Sequence, residues 1–161
     1  MSEKLPVAFI ELRTLSHATE NPEKVYRAFE NVVTSEVLEE AEPSRQKLEG
    51  HYGNPITLLT FKTHSKPLIR KALENIFSRL SSGDRLRLLA ELEGRIDGEG
   101  NFYLRLDKQA AYLGRLKLQS SDPIRVRIKL SIPAKERGRL LEACRRLIEK
   151  LAAQKPEKVE E

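Results

Sequence analysis

Pro123-Ile124-Arg125-Val126-Arg127-Ile128-Lys129-Leu130-Ser131-Ile132-Pro133 is the stretch that decides the fold class. Apolar and cationic residues alternate through it with a period of two. A β-strand sends successive side chains to opposite faces, so Ile124, Val126, Ile128, Leu130 and Ile132 claim one face. Arg125, Arg127 and Lys129 are left on the other. A strand buried on one side only belongs to an antiparallel sheet with one wet face. Pro133 closes the strand and opens a last helix with the stripe Leu140, Leu141, Cys144, Leu147, Ile148 and Leu151.

The same alternation runs upstream. In 115–119, Leu116 and Leu118 point inward while Arg115 and Lys117 point outward. In 102–107, Phe102, Leu104 and Leu106 point inward while Tyr103 and Arg105 point outward. If these three strands are neighbours, Tyr103, Arg105, Arg115, Lys117, Arg125, Arg127 and Lys129 share one face. Like charges on adjacent strands disfavour folding, and a polyanion relieves that repulsion and releases its own counterions. The residues also allow a blander reading, a solvated sheet face that happens to be basic.

Further upstream, Val7, Phe9, Ile10 and Leu12 mark a first strand in 6–15. Asn21-Pro22-Glu23 has the form of a helix cap, a proline at the first helical position and an acidic first turn. Val25, Ala28, Phe29 and Val32 then follow at helical spacing, predicting a helix that ends near Val33. Short strands are expected around Val37–Glu40 and Gln46–Glu49, a turn at 51–55 and a strand over 56–64. Ser65 caps a helix with the stripe Leu68, Ile69, Ala72, Leu73, Ile76, Phe77 and Leu80. Residues 81–84 break it, and a shorter helix carries Leu86, Leu88, Leu89 and Leu92. The expected class is α+β: a mostly antiparallel sheet, helices on one face, the other face solvent-exposed and basic. A single domain spans 1–152, and 153–161 is expected to be a charged, disordered tail.

Charge is segregated along the chain. Net charge is +5, yet residues 1–50 carry 6 Lys/Arg against 10 Asp/Glu, while residues 101–150 carry 13 against 5. A basic half suggests a polyanionic partner, nucleic acid or an acidic membrane surface. Lys135, Arg137 and Arg139 add cations at the start of the last helix, where free N–H groups suit a phosphate; an ordinary surface helix sharing charge with Glu136 and Glu142 fits equally. Between two basic strands, Lys108 and Gln109 can reach phosphate or sugar. Tyr112 can stack on a base, or pack with Leu113 in the core.

Catalytic signals are missing. No glycine-rich phosphate loop precedes a helix, and Gly98-Glu99-Gly100 reads as a turn. His17, His51 and His64 lack metal-ligand spacing. The one cysteine, Cys144, falls on a buried stripe and excludes an internal disulfide. Glu11 has no evident acid/base partner. No enzyme activity, metal or cofactor is expected. The first apolar run, Val7–Ile10, is too short for a signal or a span, so a cytoplasmic protein with no membrane partner is expected.

Three stretches carry a family resemblance: the opening strand with Asn21-Pro22-Glu23-Lys24-Val25, the turn Gly50-His51-Tyr52-Gly53-Asn54-Pro55-Ile56, and Arg105-Leu106-Asp107-Lys108-Gln109-Ala110-Ala111-Tyr112-Leu113-Gly114. Over roughly residues 5–150 the chain resembles an archaeal family of predicted RNA-binding proteins, described as exosome-associated subunits. The resemblance implies a fold like the ribosomal protein that binds 5S rRNA, with one open sheet face. It also implies a non-catalytic role in RNA processing or degradation, with RNA and an RNA-degrading complex as partners. Residues 66–151 also run helix, three strands, helix, as a double-stranded-RNA-binding domain does. The Gly-Pro-x-His loop of that domain is absent, and Lys108–Gly114 stands in its place. Read from the residues alone, the rival is an adaptor or homodimer whose basic face docks an acidic partner surface.

Overall fold

The computed structural model describes residues 5–41 and 43–153. Five antiparallel strands form one sheet in the order β2-β3-β1-β5-β4: β1 (Val7–Ser16), β2 (Ser44–Glu49), β3 (Pro55–Thr63), β4 (Asn101–Asp107) and β5 (Pro123–Leu130). Among the described residues, seven α-helices accompany it: α1 (Pro22–Val33), α2 (Ser35–Glu40), α3 (Lys66–Arg79), α4 (Ser82–Ala90), α5 (Leu92–Arg95), α6 (Lys108–Tyr112) and α7 (Arg137–Ala152). The α+β class read from the alternation is the one observed.

The core follows from that alternation. Ile10, Leu12, Leu59, Phe61, Phe102, Leu104, Leu106, Ile124, Val126 and Ile128 are all buried on one side of the sheet. Against them lie Val25, Phe29 and Val32 of α1, Ile69, Leu73, Ile76 and Phe77 of α3, and Leu140, Leu147 and Ile148 of α7. Truncating one of the fully buried phenylalanines, Phe61 or Phe102, should cost about 3–5 kcal/mol.

The helix signals work as chemistry. Asn21 accepts a hydrogen bond from the Glu23 backbone N–H at 2.9 Å, and Pro22 opens α1. Ser65 caps α3 through the N–H of Leu68. Ser81 ends one helix by starting another, accepting from the N–H of Asp84 at 3.0 Å. Cys144 is buried, and burial pushes its thiol up to about 12, which fits its place on the stripe of α7.

Four expectations are corrected. Residues 35–40 are a helix, not a strand: α1 stops at Thr34, whose backbone turns to φ 85° and whose hydroxyl caps the N–H of Val37. Adjacent Val37 and Leu38 are both buried, which a helix turn allows and an alternating strand does not. Residues 115–119 form no named strand. They flank the outer edge of β4 through one bridge, Leu106 to Leu118, with Asp107 N–H donating to Lys117 O and Gln119 N–H to Arg105 O. The segment 108–114 is not a loop, because Asp107 caps a short helix there. Finally, α7 begins at Arg137, so Lys135 precedes it. The expected tail lies outside the described residues from 154 onward.

Candidate nucleic-acid interface

The face of the sheet away from the helices is set by strand register. Across β4, β5 and β1, Arg105 pairs with Arg125 and Arg125 with Arg13. Three arginines therefore stand abreast on neighbouring strands, about 4.8 Å apart in backbone spacing. One row along, Tyr103 pairs with Arg127, Arg127 with Glu11 and Glu11 with Lys62. The next row holds Asn101, Lys129 and Phe9. Arg13, Lys62 and Arg105 are exposed, while Arg125, Arg127, Lys129, Phe9 and Tyr103 are half-buried.

Glu11 organises this face. It is only 6% exposed, and its carboxylate accepts from the Nε of Arg127 at 3.1 Å. Its Oε1 lies 3.8 Å from an Nη of Arg125, an ion pair too long to be a hydrogen bond. Nε of Arg125 is shielded and has no hydrogen-bond partner among the described residues. Arg127 is thus fixed, and Arg125 is held loosely. Both guanidinium groups cover rings: Arg127 lies 4.9 Å from the centroid of Phe9 and Arg125 lies 5.4 Å from that of Tyr103. The Lys62 ammonium is 4.2 Å from the same Phe9 ring. Lys129 turns away and donates to the carbonyl of Glu99.

Other residues singled out by sequence land elsewhere. Arg115 and Lys117 are exposed on the segment beside β4, and Lys117 lies next to Asp107. Lys135 is exposed ahead of α7. Arg139 pairs with Glu136. Arg137 fastens α7 to the α5–β4 turn, donating to the carbonyls of Glu93 at 2.9 Å and Asp97 at 3.2 Å. In that turn Asp97 resists burial and stays below the usual carboxylate range, because the N–H groups of Asn101 and Glu99 and the Asn101 amide donate to it.

Lys108 is the clearest correction. It is 4% exposed, and its ammonium bonds the Leu15 carbonyl at 2.7 Å, Glu20 at 3.0 Å and Asp122 at 3.2 Å. Its donors are spent inside the protein, so it is not a phosphate contact. Burial would raise the Asp122 carboxyl, but the Lys108 hydrogen bond and charge, with His17 at 3.3 Å, hold it low. His17, Glu20 and Asp122 bring one ligand atom each within 4.8 Å of one another, a cluster that sequence spacing hides. The Lys108 ammonium already joins the two carboxylates. Beside it, Tyr112 lies under the Lys24 ammonium at 5.3 Å and lines a polar cleft of about 280 Å³ with Thr19, Asn21 and Gln109. Leu113 is exposed, not in the core as one reading had it.

Sequence reading missed Phe9, Glu11, Arg13 and Lys62. The signal was available, since Phe9, Glu11 and Arg13 alternate with Ile10 and Leu12. What was missing was the knowledge that β1 lies beside β5.

A family model described as RNA binding matches residues 9–130, most of the chain. The chain belongs to this RNA-binding family. An RNA-binding protein of Pyrococcus abyssi is 38% identical over 151 residues, covering 92% of this chain and 98% of its own. Among solved structures, a DUF54 family protein of Archaeoglobus fulgidus superposes with a TM-score of 0.77 at 32% identity, covering 88% of this chain and 99% of that one. A DUF54 protein of Methanothermobacter thermautotrophicus gives 0.72 at 34% identity, with 88% and 98% covered. The family match takes in β2, β3, β4, β5 and β1 from Phe9 onward. Among the described residues, no helix is long and apolar enough to cross a membrane.

Proposed function

We propose that this protein binds RNA on the wet face of its sheet and performs no chemistry on it. The observation that carries the reading is the row Arg105, Arg125, Arg13. Three like charges side by side cost folding energy, and nothing in the fold requires them. Among the described residues, Arg13 and Arg105 have no ion pair to offset that cost. A phosphate backbone supplies the missing charge. Lys62 and, on the flank of β4, Arg115 and Lys117 extend the surface. Contacts of this kind position a nucleic acid without reading its sequence. The acids on this face are already used: Glu11 by two arginines and Asp107 as the cap of α6. That supports a binder rather than an enzyme. A place in RNA processing or degradation, alongside an RNA-degrading complex, and a kinship with the ribosomal protein that binds 5S rRNA, rest on the family resemblance.

The test is a titration of RNA at several salt concentrations. Affinity should fall linearly in log–log form, with a slope of about −0.7 to −0.9 for each phosphate contacted. Binding that is absent at low salt sinks the reading.

One observation favours a second reading, a protein-docking surface. At the far end of the same face, Leu15 is 36% exposed and Leu48 39%, and Leu58 and Ile56 lie between them in register. These four aliphatic residues offer nothing to phosphate.

A further inference from the structure

We propose that the wet face selects single-stranded RNA over duplex, by stacking two successive bases on the guanidinium planes of Arg127 and Arg125. The inference rests on the RNA-binding reading above and names the class of RNA.

The two arginines are built alike. Each leans diagonally across to an aromatic ring on a neighbouring strand, Arg127 to Phe9 on β1 and Arg125 to Tyr103 on β4. Each ring supports a guanidinium; Glu11 fixes the head of Arg127 by a hydrogen bond and draws that of Arg125 only through the longer ion pair. A planar cation backed by a ring and restrained in place presents a flat outer surface. Unstacked bases pack on such planes, as they do on aromatic rings. The two arginines are two residues apart on β5, about 7 Å along the strand, which is a single nucleotide step of an extended chain.

A surface that met only phosphates would gain nothing from the rings. Phosphate wants ammonium and guanidinium groups reaching out, as Arg13 and Arg105 do. Phe9 and Tyr103 instead place apolar surface on the wet side of a sheet. Duplex RNA keeps its base faces inside the helix, where these stacks have no access to them. An open strand can lay bases over Arg127 and Arg125 while its phosphates follow the row of Arg105, Arg125 and Arg13. Arg125 belongs to both, and its loose tie to Glu11 lets it adjust.

The experiment compares three RNA probes of equal length on the wild-type protein at one salt concentration: an oligouridylate, a hairpin duplex, and a strand of abasic ribose phosphates. The expected result is that the oligouridylate binds at least tenfold more tightly than either of the others. Arg127→Lys, which keeps the charge and loses the stacking plane, should lower oligouridylate affinity roughly 5-fold or more, as loss of one base stack does, and leave the abasic strand unaffected. The wild-type arms need no variant, so a substitution that unfolds the chain leaves the test intact. Equal binding of the intact and abasic strands, or of the strand and the duplex, overturns the stacking inference and leaves phosphate binding standing. No binding of any probe overturns the RNA-binding reading itself.

Discussion

The wet face has two ends that share strands but not chemistry. Along β1 it reads Phe9, Glu11, Arg13, then Leu15; along β3 from the other direction it reads Ile56, Leu58, Thr60, then Lys62. One end collects cations over aromatic rings, and the other collects aliphatic side chains beside the β2–β3 hairpin. Period-two alternation assigns a residue to a face, yet says nothing of what its neighbours on that face will be. Register does that, and here it sorts one surface into a charged half and an oily half. We propose that the difference separates two functions, with polyanion binding at the first half and protein contact at the second.

The largest effect should come from removing the arginine row. Changing Arg13, Arg105 and Arg125 together to Gln should lower RNA affinity at least tenfold and flatten the salt slope by roughly 2 to 3. The fold should survive, since all three lie on the wet side. The matched control is Arg145→Gln with Arg146→Gln on α7, exposed cations that share Glu142 and should leave affinity almost unchanged. If the control costs as much as the row, net charge rather than the face drives binding.

Lys108→Met tests the opposite kind of cation. RNA affinity should hold, while urea denaturation should show a loss of about 1–3 kcal/mol, the cost of taking the buried ammonium away from the Leu15 carbonyl and the Glu20 and Asp122 carboxylates. The pH profile should change too. A carboxyl held low in the folded state, as Asp122 is, adds stability above the ordinary carboxylate range and loses it as pH falls. Wild-type stability should therefore drop below about pH 4, and the variant should show a shallower drop there. A variant that keeps full stability but loses RNA would return Lys108 to the binding surface.

The smallest effect belongs to the oily end. Leu15→Ser with Leu48→Ser should leave RNA affinity unchanged within twofold, and stability nearly so, because both side chains are already half in water. Sedimentation of wild type and variant sharpens the comparison: concentration-dependent association lost in the variant assigns this end to protein contact. Weakened RNA binding would mean the face is not divided.

Sequence made the central strands legible because their alternation is long and strict. Ile124 to Leu130 leaves one choice of face, and the stripes of α1, α3 and α7 repeat often enough to fix a period. Six residues at 35–40 hold too few turns to decide, and Val37 next to Leu38 suits either element. The pattern in 115–119 was real, since Leu116 and Leu118 are buried, but leaning on a neighbour needs only one bridge and no full ladder. Lys108 carried no local sign of burial. Its partners, Leu15, Glu20 and Asp122, come from distant parts of the chain. On the wet face, Arg125 and Arg127 could be placed where alternation was plain, and Arg13 and Lys62 could not because placing them needed the strand order.

The two edges of the sheet differ as well. The outer side of β4 is spoken for: Asp97 N–H donates to Asn101 O, Arg95 reaches Tyr103 O, Gln119 N–H donates to Arg105 O, and Asp107 N–H donates to Lys117 O. Among the described residues, β2 pairs with β3 alone, and every residue along it is exposed. A sheet that can be joined at one side only behaves as a chain terminator. Two copies meeting edge to edge through β2 would use up both open sides and leave nothing for a third, so strand addition stops at a pair and cannot run on into a fibre.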